Sequence, residues 1–228
     1  MKPEGRDPKS EGSPKSEIRK VLVCFALKEE ARPFQQLVAG RSHIRVILVG
    51  MGKRNAERAI RAALAEERPD LVLTCGLAGG LRPDLVMGTV VFDADPETGL
   101  EPALLASGAK PARFYCAERV VPTAAEKQAL RESTGADAVE MESQPVRAAC
   151  REQKIPSATV RVILDTAQED LPLDFNQFLT PEQKMSYGKL VMALLKSPGR
   201  IRALLQLRRQ SQAAAESLGQ VLAGITAA

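Results

Sequence analysis

Along the chain, short apolar runs rich in β-branched residues alternate with segments whose apolar residues recur at helical spacing. Ile18 to Leu27 (IRKVLVCFAL), Ile44 to Val49, Asp70 to Cys75, Gly88 to Phe92, Ala138 to Met141 and Ala158 to Leu164 read as strands. Between them, Ala31 to Val38, Ala56 to Glu67, Pro122 to Thr134 and Pro145 to Gln153 read as helices, the second capped by Asn55 and stopped by Pro69. Lys28-Glu29-Glu30 reads as a charged loop, Gly50-Met51-Gly52-Lys53 as a glycine turn and Gly76 to Gly80 as a glycine loop. Asp93 to Ala112 is rich in Pro and Gly and predicts a surface excursion. After Phe175 the pattern is helical to the end, broken at Pro198-Gly199. Strands alternating with helices predict an α/β fold on a largely parallel sheet, with sites at the carboxyl ends of its strands. There is no internal repeat.

Composition adds the scale. The 228 residues are 44% hydrophobic and 26% charged, which predicts one globular domain over 18–228 with a helical C-terminal extension. The Lys/Glu/Pro/Ser mixture of residues 1–17 predicts a disordered polar tail, and its lack of an apolar core excludes a signal peptide. No apolar run approaches the roughly 20 residues of a spanning helix. The formal net charge is only +4, aromatic residues are 4%, and Trp is absent, which argues against nucleic acid as a partner. Cys24, Cys75, Cys116 and Cys150 are widely spaced, with no zinc or redox pair, and read as inert thiols of a reducing, cytoplasmic compartment.

The chemistry inventory is narrow. His43 is the only histidine and sits at a strand edge, so histidine-based catalysis and a His-rich metal site are excluded. Gly50-Met51-Gly52-Lys53-Arg54-Asn55 lacks the third glycine of the dinucleotide fingerprint and the Ser or Thr of the P-loop. Carboxylates remain at the strand ends: Glu30, Glu140, Glu142 and Asp165. Each of them reads either as a loop charge or as part of a polar pocket.

Five segments in order carry a resemblance: Ala26-Leu27-Lys28-Glu29-Glu30, Gly50-Met51-Gly52-Lys53, Thr74 to Leu81 (TCGLAGGL), Val139-Glu140-Met141-Glu142-Ser143, and Val160 to Asp165 (VRVILD). Together they resemble the purine nucleoside phosphorylase and methylthioadenosine/S-adenosylhomocysteine nucleosidase superfamily, collinearly from about Lys20 to Phe178. The stretch from Asp165 through Leu171-Pro172-Leu173-Asp174-Phe175-Asn176, with the basic helical tail, is most similar to the hopanoid-associated branch, which acts on adenosylhopane. The resemblance implies a three-layer αβα fold with a mixed, largely parallel sheet, a purine nucleoside substrate, a homo-oligomer and no metal or organic cofactor. Inorganic phosphate would be needed only if cleavage is phosphorolytic.

It also implies roles. Cleaving a purine–ribose bond passes through an oxocarbenium-like sugar, so the leaving base needs a proton and the cation needs negative charge nearby. Asp165 matches the acid that protonates purine N7, and Glu30 the glutamate that positions attacking water. Glu142 matches the acceptor of the ribose hydroxyl protons, Met141 the side chain packed on the sugar, and Phe175 the cover over the substrate. Ala78 and Gly79 fall in the glycine segment where the backbone approaches the ligand. Glu140 either faces the pocket or pairs with a basic residue such as Arg161. The acidic first loop favours hydrolysis, whereas Lys28, Arg32, Lys53 and Arg82 keep phosphorolysis open.

Three departures weigh on substrate identity and leave a silent nucleoside-binding module as a rival. Leu77 stands where a small polar residue is frequent, Leu164 where serine often precedes the aspartate, and the base-binding segment before Glu140 is unrecognisable. Basic residues Lys196, Arg200, Arg202, Arg208 and Arg209, interleaved with Ile201, Leu204, Leu205 and Leu207, suit either a solvated helix face or an anionic membrane surface.

Overall fold

A computed structural model describes residues 19–178, 180 and 199–227. The tail expected over residues 1–17, and the part of the C-terminal helical stretch that falls on residues 181–198, lie outside the described residues. Eight strands form one mixed sheet: β1 (Val21–Phe25), β2 (Ile44–Leu48), β3 (Leu71–Gly80), β4 (Val90–Ala94), β5 (Lys110–Pro111), β6 (Phe114–Cys116), β7 (Ala138–Glu140) and β8 (Ser157–Asp165). The main order is β2-β1-β3-β8-β4-β5. β2, β1, β3 and β8 run parallel, and β4 is antiparallel to β8. β7 pairs antiparallel with β3 at Gly79 and Gly80, and parallel with β6.

Side chains alternate across this sheet, which is why its central strands are apolar at almost every position. Val21, Val23 and Phe25 of β1 join a core with Phe34 of α1 (Lys28–Leu37) and with Leu218 and Leu222 of the long C-terminal helix. Among the described residues that helix is the last of six: α2 (Lys53–Glu66), α3 (Glu101–Ala106), α4 (Ala124–Thr134), α5 (Ser143–Glu152) and α6 (Arg200–Ile225) follow α1. Leu22 and Cys24 point the other way, into a second core with Ile60 of α2 and Val146 of α5. Helices therefore cover both faces, giving the αβα arrangement of the expected fold class.

Four expectations are corrected. Gly76 to Gly80 is not a loop but the end of β3, because β8 on one side and β7 on the other satisfy its backbone. Asp93 to Ala112 is no surface excursion: Leu100, Leu104 and Ala109 are buried in the first core, on and beside α3. The charged Lys28-Glu29-Glu30 is the first turn of α1, where acidic residues suit the positive end of the helix dipole. Asn55 does not cap α2. Gly52, at φ +80°, occupies that position, and Asn55 Nδ2 donates to the Met51 carbonyl at 2.8 Å.

The inert-thiol reading fits the described structure. Cys24, Cys75 and Cys150 are buried and Cys116 is half-buried, with all four unbridged. Burial pushes the Cys150 and Cys116 thiols up to about 12. His43 precedes β2, at the opposite end of the sheet from the carboxylates.

Candidate active site

The carboxyl ends of β1 and β7 meet the middles of β3 and β8 at one buried charge cluster. Its centre is Arg161 of β8, 1% exposed, which sequence reading reached only as a partner for Glu140. Arg161 Nη2 donates to Glu140 Oε2 at 2.6 Å and lies 3.3 Å from Glu142 Oε2 and 3.4 Å from Thr74 Oγ1. Of the two alternatives for Glu140, pairing with Arg161 is what the structure shows.

Glu140 does more than pair. It accepts from the Glu142 and Ser143 backbone N–H groups at 2.8 and 2.7 Å and from the Ser143 hydroxyl at 2.6 Å. These N–H groups open α5, so the carboxylate caps that helix and fixes the turn that carries Met141 and Glu142. Glu142 Oε1 in turn accepts from the Gly52 N–H at 2.8 Å, which ties this turn to the glycine turn after β2. Burial pushes the Glu142 carboxyl up; Arg161 opposes this and the Glu140 charge adds to it.

Glu30 enters from α1. As the third residue of that helix it reaches back to the Leu27 N–H at 3.3 Å, one half of a capping box, and its other oxygen lies 3.5 Å from the Leu77 N–H. Burial pushes its carboxyl up to about 7, against the Arg161 charge and with the help of Glu142. Gly76 explains how the groups fit: at φ +145°, a Cβ there would lie 2.7 Å from Arg161 Nη1 and 2.9 Å from Glu30 Oε2. Only glycine lets β3 run between the guanidinium and the carboxylate.

Asp165 ends β8 apart from this cluster. The β3–β8 register jumps there: Ala78 faces Ile163 and Gly79 faces Asp165, leaving Leu164 unpaired as a bulge. A Cβ on Gly79 would stand 3.3 Å from Asp165 Oδ2, so this glycine too makes room for a carboxylate. Burial pushes the Asp165 carboxyl up, and the Lys127 ammonium, in ion-pair contact with Oδ2, opposes the rise. No helix follows Asp165. The Thr166 N–H donates to Glu169 Oε2 at 2.9 Å in a turn.

The remaining expected residues are more dispersed. Ala78 turns its methyl into a small apolar cluster with Leu85, Val91 and Ile163, so its side chain belongs to the core. Met141 is half-buried on the turn between Glu140 and Glu142. Phe175 is half-buried at the start of the 3-10 turn Phe175–Phe178, which Asn176 pins to Val120 through two hydrogen bonds of 2.9 Å. Lys53 and Arg82 are engaged by Glu118 and by Asp84 and Asp137. No cluster of metal-ligating side chains occurs among the described residues.

Lys127 is the residue that sequence reading missed. It lies on the inward stripe of α4 with Thr123 and Leu130, at i−4 and i+3, in a helix with one large apolar residue. A lysine at a core position of so polar a helix was the available signal.

Comparison with known proteins agrees with this architecture. The chain is similar to futalosine hydrolase of Helicobacter pylori strain 26695, with TM-score 0.68 and 16% identity over 91% of this chain and 97% of that one. It is similar to the 5′-methylthioadenosine/S-adenosylhomocysteine nucleosidase of Colwellia psychrerythraea 34H, solved in complex with adenine, with TM-score 0.68, 16% identity and coverage of 92% and 95%. The Neisseria meningitidis nucleosidase of the same name, in complex with methylthio-immucillin-A, gives TM-score 0.66, 18% identity and coverage of 90% and 97%. The sequence pattern that defines the phosphorylase superfamily matches residues 17–95 and 107–196. With that match spanning most of its length, and the fold arranged as described, the chain belongs to the phosphorylase superfamily.

Proposed function

We propose that this protein is a nucleosidase that hydrolyses the N-glycosidic bond of an adenosyl-type purine nucleoside. One observation carries the reading: three buried carboxylates gather about Arg161, with Glu140 and Glu142 in contact with its guanidinium and Glu30 across Gly76 from it, while a fourth, Asp165, stands separately at the end of β8. Excess negative charge at one place and an acid at another is what departure of a base from a cationic sugar requires.

Asp165 passes its proton to N7 of the purine, and the C1′–N9 bond breaks with its electron pair going to the base. Glu142, bonded to Gly52, accepts from the ribose hydroxyls and faces the developing cation. Water adds at C1′ as Glu30 takes its proton; solvent then restores a proton to Asp165 and removes the one on Glu30. Met141 packs on the sugar and Phe175 covers the substrate. A carboxyl near 7 suits Glu30 to accept a proton at neutrality.

Hydrolysis is favoured over phosphorolysis because Glu30 would repel phosphate and Arg161 is already engaged by Glu140 and Glu142. A lipid-linked 5′ substituent, as in adenosylhopane, fits the start of α6, where exposed Ile201 and Leu205 lie among exposed Arg202, Arg208 and Arg209. That surface suits peripheral contact with an anionic membrane; no described helix is long and apolar enough to cross one. Exposed Leu27 and Leu48, at the ends of β1 and β2, suit contact with a second copy.

The test is release of adenine from 5′-methylthioadenosine and from a detergent-dispersed adenosyl lipid, with and without phosphate. Release without phosphate is expected, reduced about a thousandfold in Asp165→Asn while its melting curve stays cooperative. A strict phosphate requirement would make the enzyme a phosphorylase. Binding without release from either substrate would make it a nucleoside-binding module.

A further inference from the structure

Lys127 is fully buried, a costly place for an ammonium unless its donors are satisfied. Two backbone carbonyls and one carboxylate surround it. Nζ donates to the Thr166 carbonyl at 2.8 Å and to the Glu169 carbonyl at 2.7 Å, and it contacts Asp165 Oδ2 as an ion pair. All three acceptors belong to the end of β8 and the turn after it, so one side chain from α4 clamps the segment that carries Asp165. The other neighbours of that carboxyl are Glu169, whose charge faces it from the same turn, and Gly79 of β3, which brings none.

We propose that Lys127 is a positioning residue for Asp165: its ammonium, anchored on two backbone carbonyls, holds the carboxyl at the end of β8 and neutralises the charge left there when the proton departs. This rests on the reading of Asp165 as the acid. In the nucleosidase step, Asp165 gives its proton to the leaving base and becomes a largely buried carboxylate. An unpaired carboxylate there would raise the barrier; one facing an ammonium lowers it, and the ammonium itself gains and loses nothing. Packing alone would have been served by an apolar side chain, without the cost of burying a charge.

The experiment follows the 13Cγ resonance of Asp165 with pH, identified by its loss in Asp165→Asn, in the wild-type protein, Lys127→Met and Glu169→Gln. Removing the ammonium should raise the Asp165 midpoint by about one pH unit or more, and removing the Glu169 charge should lower it. A folded Lys127→Met with an unchanged midpoint overturns the proposal. If that variant does not fold, the Lys127 15Nζ resonance of the wild-type protein decides the matter. A shift that follows the Asp165 midpoint supports the pair, and a flat response overturns it. Where adenine is released, Lys127→Met should lower kcat at least tenfold with KM changed less than threefold. Should Asp165→Asn release adenine at the wild-type rate, the reading of Asp165 as the acid fails, whatever the titration shows.

Discussion

At the scale of single residues, the site is an exercise in unequal charge. Glu30, Glu140 and Glu142 face one guanidinium, and burial leads Glu30 and Glu142 to hold their protons under conditions where an exposed carboxyl would lose its own. For Glu30 this has a measurable sign. Its carboxyl stands near 7 in the folded protein, against about 4.3 for an unfolded glutamate. Between those values the native state binds the proton and the unfolded chain does not, so stability falls as pH rises through the interval, by about 4 kcal/mol in all. Glu30→Gln lacks that slope and should gain on the wild type by about 2.5 kcal/mol between pH 5 and pH 8, as read by urea unfolding. Parallel pH profiles for the two proteins would refute the assignment. Residue identities, and which carboxylates sit at strand ends, were legible from the chain. That Arg161 is the shared partner was not, because nothing in VRVILD distinguishes an arginine turned inward from one turned to solvent.

Among the elements, β3 is the one that makes the site possible. Its final residues read as a loop because five positions hold three glycines, and glycine is poor strand material. Pairing with β7 and β8 overrides that propensity, and the glycines serve to let charged groups approach the backbone from neighbouring elements. Gly76→Ala therefore meets a left-handed φ and two polar atoms within 3 Å, and should cost about 2–4 kcal/mol and abolish turnover. Gly88→Ala, at φ +83° with open space around it, is expected to lose only about 1 kcal/mol, with activity kept. Thermal melts and base release on the pair separate the two causes, and equal losses would sink the argument from close approach. β5 and β6, of two and three residues, escaped notice because so short a strand has no period to detect, and α3 because Pro102 and Gly99 masked its buried Leu100 and Leu104.

For the whole molecule, the decisive contact is between the first helix and the last. α6 lays Leu218 and Leu222 against the core that Phe34 of α1 also fills. Gly219 allows the approach: a Cβ there would stand 3.1 Å from the Phe34 backbone nitrogen, whereas Gly224 has nothing within 4 Å. Gly219→Val should thus cost about 1–3 kcal/mol, while Gly224→Ala gains about 0.5–1 kcal/mol from helix propensity. Chemical denaturation of both variants checks this, and a neutral Gly219→Val would show that the two helices do not abut as described. The docking of α6 on α1 also braces the helix whose first turn carries Glu30. By itself, the sequence determined the alternation of strands and helices, the strand ends where carboxylates gather and the order of the motifs, because these follow from local periodicity and from residue type. Only the tertiary structure decided that glycines become strand, that one arginine serves three acids and that Lys127 turns inward to Asp165. Those outcomes depend on which backbone groups and charges meet across distant segments, where burial multiplies each interaction that water would have screened.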